Sequence, residues 1–440
     1  MTAAVDSRRV PAHELVDAAV QRPVLVYGSL PPHGRDLDLL VRPAEAARLA
    51  DALGGAGFHA RGEQWVRFAD CSVEIVELTP ASSWGLKPAA LDALYAQAVP
   101  LSALRGLVAP SPHHTLLILA LRLALGDGRL TDKLRRRVDA ALAADPDAWE
   151  TARDNAPGWG ATRALELAQR AHAGLPVMSP QWRDAAAERY AALGTRPARA
   201  SLRRVRGLVV RWRRGGVVAL SGLDGAGKSS QARALQATLE RLGIPATIVW
   251  SRIAWSDRLW KAAVPAKKVL TRLATLTPRR SRRAGHAGSP ATPADPIGTL
   301  RERSSLLTGV WTTVIALENA LMHRSQSIRL VRRGTVVICD RYTLDSIVGL
   351  RTSYGAQRHF RFQTTLMRLV APRPRAAYLL DVTPQTALAR KGEYDLATLG
   401  EQARFYHDDC ERIGVRRLDG ELPQEQLCAE IALNVWQTLG

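Results

Sequence analysis

The stretch "VVALSGLDGAGKSSQ" (217–231) decides how half of this chain folds. It opens as a short apolar run, passes through a loop with glycines at 222, 225 and 227, and runs on into "SSQARALQATLERLG". The loop reads Gly-x-x-x-x-Gly-Lys-Ser from Gly222 to Ser229, between a predicted strand and a predicted helix. In that context the spacing builds a phosphate cradle. The small residues Gly222, Gly225, Ala226 and Gly227 let backbone N–H groups crowd around an anion. The helix that follows presents its positive end to the same place. Lys228 then reaches the β and γ phosphates of a nucleotide, the Ser229 hydroxyl suits Mg²⁺, and Ser230 completes the phosphate-binding set.

Around the loop, strands alternate with helices. Strands are predicted over 217–221, 246–251, 335–340, 376–382 and 415–420, and helices over 227–243, near 304–333 and over 423–439. Such alternation means an α/β fold with a doubly wound parallel sheet. "VVICDRYTLDS" places Asp340, Arg341 and Tyr342 at the end of a strand, where ligands bind in these sheets. Asp340 suits Mg²⁺ and its water, and Arg341 suits a bidentate clamp on an acceptor phosphate. "LARKGEYD" (388–395) carries Arg390 and Lys391. They read either as mobile cations closing over a transferring phosphoryl group or as a charged helix end. The Asn-Lys-x-Asp that a GTPase uses to read its base is not in the sequence.

"GLDGAGKSS", "CDRY", "YLLDVTPQTALARKGEYD" and "VRRLDG…PQEQLCAEI", in this order, resemble the thymidylate kinase family of nucleoside monophosphate kinases over residues 217–440, about half of the chain. The resemblance implies ATP and Mg²⁺ as cofactors and phosphoryl transfer to a nucleoside monophosphate, thymidylate by default. It implies that Asp224 lies near the acceptor sugar, that Arg341 holds the acceptor phosphate and that Arg390 belongs to the lid. The sequence departs from the family after the second strand, where "WSRIAWSD" leaves Arg252 as a stand-in for Arg-Glu-Pro-Gly. It departs again on the helix before the acceptor motif, where Ile315 and Asn319 stand in place of a base-stacking phenylalanine and a base-reading arginine. Two alternatives stay open beside the nucleotide kinase. One is a kinase for a sugar phosphate or lipid-linked sugar. The other is a nucleotide-gated binding module that phosphorylates nothing.

The first half is organised differently. "PVLVYGS" (23–29) is a predicted strand ending in Gly28–Ser29, and "DLDLLV" (36–41) is the next. Period two puts Asp36 and Asp38 on one face, aimed at one point, as a divalent metal bound with nucleotide phosphates requires. A third carboxylate is expected from "SVEIVEL", either Glu74 or Glu77, with Glu74 taken first. From 111 to 195 the pattern is helical. Gly-Ser with Asp-x-Asp resembles the nucleotidyltransferase superfamily, and 147–177 resembles the helical bundle of a bacterial nucleotidyltransferase-like family. This implies a small α/β nucleotidyltransferase-like unit with a helical bundle over about 20–180, either active or a binding-only remnant. "PHH" (112–114) reads as a helix start rather than a metal site.

The 440 residues are too many for one ordinary core. The expected domains are 1–195, a basic linker at 196–215, and 216–440, with a mobile Pro-, Gly- and Arg-rich loop at 277–298. Residues 1–200 carry 23 Lys and Arg against 22 Asp and Glu, and residues 201–440 carry 38 against 19. The excess predicts an anionic partner: a nucleotide and a small phosphorylated acceptor, with contact between the basic linker and anionic lipid as a further option. A nucleic acid is not expected, because the basic region shows no aromatic-interleaved nucleic-acid surface. Association as a homodimer is left open. Four scattered cysteines without a CxxC pair and an N-terminus without an apolar signal core point to the cytoplasm.

Overall fold

A computed structural model describes residues 10–30, 36–69, 72–193, 215–250, 305–355 and 359–439. The expected linker (but for Gly215), the 277–298 segment and Arg252 lie outside the described residues. The chain forms two compact units, Met1–Val210 and Arg211–Gly440.

The first unit is a mixed sheet with a helix bundle. After α1 (Ala12–Ala19), β1 (Val24–Val26) pairs antiparallel with β2 (Leu37–Val41), Leu25 facing Leu40. Pro43 opens α2 (Pro43–Gly55). β3 (His59–Arg61) and β4 (Gln64–Ala69) lead to β5 (Ser72–Pro80), which pairs antiparallel with β4 and parallel with β2. After α3 (Pro88–Ala96), β6 (Val99–Pro100) and β7 (Leu107–Ala109) complete the order β3-β4-β5-β2-β1-β7-β6. Alternation along β2 sorts its side chains. Leu37, Leu39 and Val41 join one apolar cluster with Leu49, Leu53 and Val76, while Leu40 joins the other. That second cluster is built on α4 (Pro112–Leu125), which is almost wholly apolar and packs against α5 (Asp132–Ala144), α6 (Ala148–Trp159), α7 (Thr162–His172) and α8 (Ser179–Ala192). Asp38 therefore faces the helix bundle.

The second unit is a five-stranded parallel sheet. It comprises β8 (Gly216–Gly222), β9 (Ala246–Trp250), β10 (Val336–Asp340), β11 (Ala376–Asp381) and β12 (Arg416–Asp419) in the order β12-β11-β8-β10-β9. The connecting helices are α9 (Lys228–Arg241), α10 (Ser305–Arg332), α11 (Thr343–Tyr354), α12 (Arg361–Val370), α13 (Pro384–Lys391), α14 (Leu396–Ile413) and α15 (Gln424–Thr438). β8 is buried along its whole length, as a central parallel strand must be. The chain leaves β8 for β9, returns to β10 beside it, and crosses to β11 on its other side. A ligand crevice forms outside the carboxyl ends of the strands where the winding reverses, here at β8. No helix among the described residues is long and apolar enough to cross a membrane.

Candidate active sites

The phosphate loop lies between β8 and α9, whose first residue is Lys228. Gly225 has φ +91°, and a Cβ there would lie 2.5 Å from the carbonyl oxygen of Ala387 in α13. Glycine at 225 thus lets the loop and α13 touch backbone to backbone. Lys228 is 6% exposed and donates to the carbonyls of Gly222 at 2.9 Å and Leu223 at 2.7 Å. Burial pushes its pKa down, while Asp345, Asp224 and Asp340 pull the other way. The Ser229 hydroxyl donates to Asp340 at 2.5 Å, so the hydroxyl and the carboxylate expected to serve one metal ion do lie side by side. This hard oxygen pair at the end of β10, beside a helix N-terminus, fits Mg²⁺ carried with nucleotide phosphates.

Asp224 gathers cations. Arg341 donates to it, and Lys228 and Lys391 each lie 3.9 Å away. Lys391 is thus the cation that α13 turns toward the loop. Arg390 points elsewhere, donating to the carbonyl of Gly420 at 3.4 Å and lying 3.9 Å from Glu421. Arg341 itself has φ +76°, an unfavourable conformation for a residue with a Cβ. Two anchors hold it. Its N–H donates to Leu220, and the next residue, Tyr342, donates its N–H to Asp345 and its hydroxyl to Pro372. Burial works against the Arg341 charge, yet Asp345, Asp224, Tyr406 and Asp340 outweigh it and hold its pKa above the usual value.

Asp345 went unnoticed in the sequence. It is 2% exposed and accepts from Tyr342 N at 2.9 Å, from the Tyr406 hydroxyl at 2.9 Å and from Gly222 N at 3.4 Å. It ties the acceptor motif to the start of the phosphate loop and to α14. Its signal was present in "YTLD": an acid three residues after a helix N-cap position. Of the two residues expected at a base-reading position, Asn319 is 6% exposed and Ile315 packs against the core.

The second site lies in the first unit. Asp36, Asp38 and Glu77 each offer a carboxylate oxygen, and these oxygens lie within 4.8 Å of one another. Register explains the third member: Asp38 on β2 sits opposite Glu77 on β5. Glu74, the first choice for this place, is three residues away and so on the other face. There it stands opposite Arg67 on β4, accepts from it at 2.7 Å, and accepts from the N–H of Ala12 at 3.2 Å. Glu74 is a structural ion-pair partner, and Glu77 takes the place expected of it. A Cβ on Gly28 would lie 2.0 Å from the Asp38 carboxylate, so glycine there is what admits that side chain. Burial, then Asp36 and Glu77, push the Asp38 pKa up to about 6, against the pull of Arg122 and Arg137. Three crowded carboxylates fit a divalent cation.

A cavity of about 870 Å³ opens from this triad. Arg122, Arg129, Lys133 and Arg137 line it from α4, α5 and the segment between them, and Trp84 and Trp159 form an aromatic wall. Arg137 donates to the carbonyl of Tyr27 at 2.8 Å, just before Gly28–Ser29. The basic residues escaped the sequence reading because they belong to a helical pattern that gives no sign of facing a strand loop. His113 and His114 open α4; Ser111 Oγ lies 2.8 Å from His114 Nδ1, and burial lowers the His114 pKa to about 4. Glu77→Gln is expected to weaken Mn²⁺ binding at least tenfold by titration calorimetry. Glu74→Gln should leave it within twofold and lower the melting temperature instead, because it removes the carboxylate that offsets the buried Arg67 charge.

No protein-family model matches the chain. A thymidylate kinase of Symbiobacterium thermophilum is 36% identical to it over 86 residues, which make up 19% of this chain and 40% of that protein. The chain thus spans less than half the length of that curated relative, and what the similarity establishes is that it carries a thymidylate kinase-like region.

Proposed function

We propose that the second unit transfers the γ-phosphoryl group of ATP to a phosphorylated acceptor. The observation that carries this reading is the grouping of Lys228, the Ser229–Asp340 pair and the Arg341–Asp224 pair around one glycine loop at the end of β8. Phosphoryl transfer asks a protein mainly for positioning and for cations around developing charge. Lys228 and the loop amides would meet the β and γ phosphates. Ser229 and Asp340 would hold Mg²⁺, which neutralises phosphate charge when bound. Arg341 would orient the acceptor phosphate so that its oxygen attacks the γ phosphorus as ADP leaves. Asp224 keeps Arg341, Lys228 and Lys391 directed at the loop. Lys391 would then swing from Asp224 to the transferring group as α13 closes, with Arg390 beside it.

The name of the similar protein makes thymidylate the first acceptor to test. Ile315 and Asn319 favour the second reading, a kinase for a sugar phosphate or lipid-linked sugar, since neither stacks on nor reads a pyrimidine as an aromatic ring and a guanidinium would. The test is ADP release by the full chain with each nucleoside monophosphate and with sugar phosphates. Turnover with thymidylate alone would establish the first reading, and turnover with sugar phosphates alone the second. ATP binding without turnover on any acceptor would sink both in favour of the nucleotide-gated module. In the first unit, the carboxylate triad with its basic wall favours metal-dependent nucleotidyl transfer. Asp36, Asp38 and Glu77 would hold the metal, and Arg122 and Arg137 the phosphates.

A further inference from the structure

The phosphate-loop unit contains another cavity, of about 790 Å³, where the C-terminal turns of α12 and α14 meet the segment entering β11. Its floor is small or apolar, formed by Ala219, Tyr342, Leu344, Ala377 and Ile413. Its rim is cationic: Arg368, Arg373, Arg375 and Arg412 line it against the single acid Glu411. Arg412 pairs with Asp409 at 2.6 Å, and Arg375 donates to the carbonyl of Thr438 at 3.0 Å. Arg368 and Arg373 are exposed and have no ion-pair or hydrogen-bond partner among the described residues.

Helix dipoles account for part of this. Arg368 and Arg412 lie in the last turns of α12 and α14, where a cation complements the carbonyl end. The dipoles do not account for Arg373 and Arg375, which flank Pro374 beyond the end of α12. Arg368 and Arg373 bring two unpaired guanidiniums to the rim of one concave surface, where Arg375 and Arg412 add to the positive field that an anion would relieve. Guanidinium forks match phosphate oxygens in pairs, and the floor offers room for an apolar portion.

We propose that this cavity binds a phosphate-bearing ligand, with Arg368 and Arg373 as its principal phosphate donors. The site is separate from the phosphate loop but backs onto it. Tyr342 on its floor follows Arg341 directly, and Ser221, which also lines it, precedes Gly222. An occupant therefore bears on the two residues whose neighbours hold the acceptor clamp and the loop.

The test uses the full chain carrying Lys228→Ala, so that the phosphate loop contributes little. Inorganic pyrophosphate is titrated by calorimetry at low salt, with and without Arg368→Glu/Arg373→Glu. The reversal is expected to weaken binding at least tenfold, and Arg368→Ala/Arg373→Ala to weaken it less, in the same direction. Both side chains are exposed and unpaired, so the melting temperature should fall by no more than a few degrees, from the reversed charge at the carbonyl end of α12. A parallel sedimentation with vesicles containing phosphatidic acid separates the sources. Loss of pyrophosphate binding in the reversal identifies a free phosphate, and loss of vesicle binding identifies a lipid headgroup. Pyrophosphate and vesicle binding both unchanged in the reversal would overturn the proposal.

Discussion

Lys228→Ala is expected to reduce ATP-dependent phosphoryl transfer by about 10²- to 10³-fold, the scale seen when one donor to developing charge is removed. The structure supplies a second expectation that separates catalysis from folding. Lys228 Nζ is buried and bonded to two loop carbonyls, and burial holds its pKa below the usual lysine value. The folded state therefore gains little from its charge. Arg341 and Lys391 remain beside Asp224 when it is gone. The variant should melt within a few degrees of the wild-type chain while losing turnover. Lys228→Arg discriminates further: it restores a cation but not the fit in a space lined by Gly222 and Leu223, so activity should stay low. ADP release and thermal melting of the three proteins check this. Full turnover in Lys228→Ala would remove the loop from the reaction.

Much of this site was legible because its signals are local. A strand, a glycine loop and a helix follow one another within 217–243, and spacing alone places Lys228 and Ser229. What escaped was non-local. Asp345 gains its importance from Gly222 and Tyr406, distant in sequence, and nothing in "YTLD" announces those contacts. Arg390 and Lys391 are adjacent in sequence and look equivalent there. The turn of α13 sends one toward Gly420 and the other toward Asp224. The choice between Glu74 and Glu77 is the clearest case. Both lie in one strand pattern, and each is an acid among apolar neighbours. Face and pairing register decide between them, because a strand alternates its side chains and β5 lies between β2 and β4. Arg67, the residue that claims Glu74, could have hinted at it, but only once β4 and β5 were paired in register.

Asp38→Asn should abolish divalent-metal stabilisation of the first unit while leaving the metal-free chain as stable as before or more so. The carboxylate oxygens of Asp36, Asp38 and Glu77 crowd within 4.8 Å of one another, and burial, Asp36 and Glu77 raise the Asp38 pKa to about 6 against the pull of Arg122 and Arg137. The linkage has a definite sign. An acid whose folded pKa lies above its unfolded value favours the folded state when protonated. That contribution is fully present below about pH 4 and is lost as pH rises through about 6. A divalent cation takes the place of the proton, so added Mn²⁺ should raise the melting temperature of the wild-type chain strongly at pH 7.5 and little at pH 5. Asp38→Asn removes both the proton and the metal ligand. Its metal-free melting temperature should vary less between those two pH values, and Mn²⁺ should no longer shift it. ATP binding at the other unit should persist, since Lys228 and Ser229 belong to a separate compact body. An unchanged Mn²⁺ shift in Asp38→Asn would overturn the metal assignment. A lost shift with retained ATP binding would show that the two units hold two independent sites, a metal site built on carboxylates and a nucleotide site built on a glycine loop.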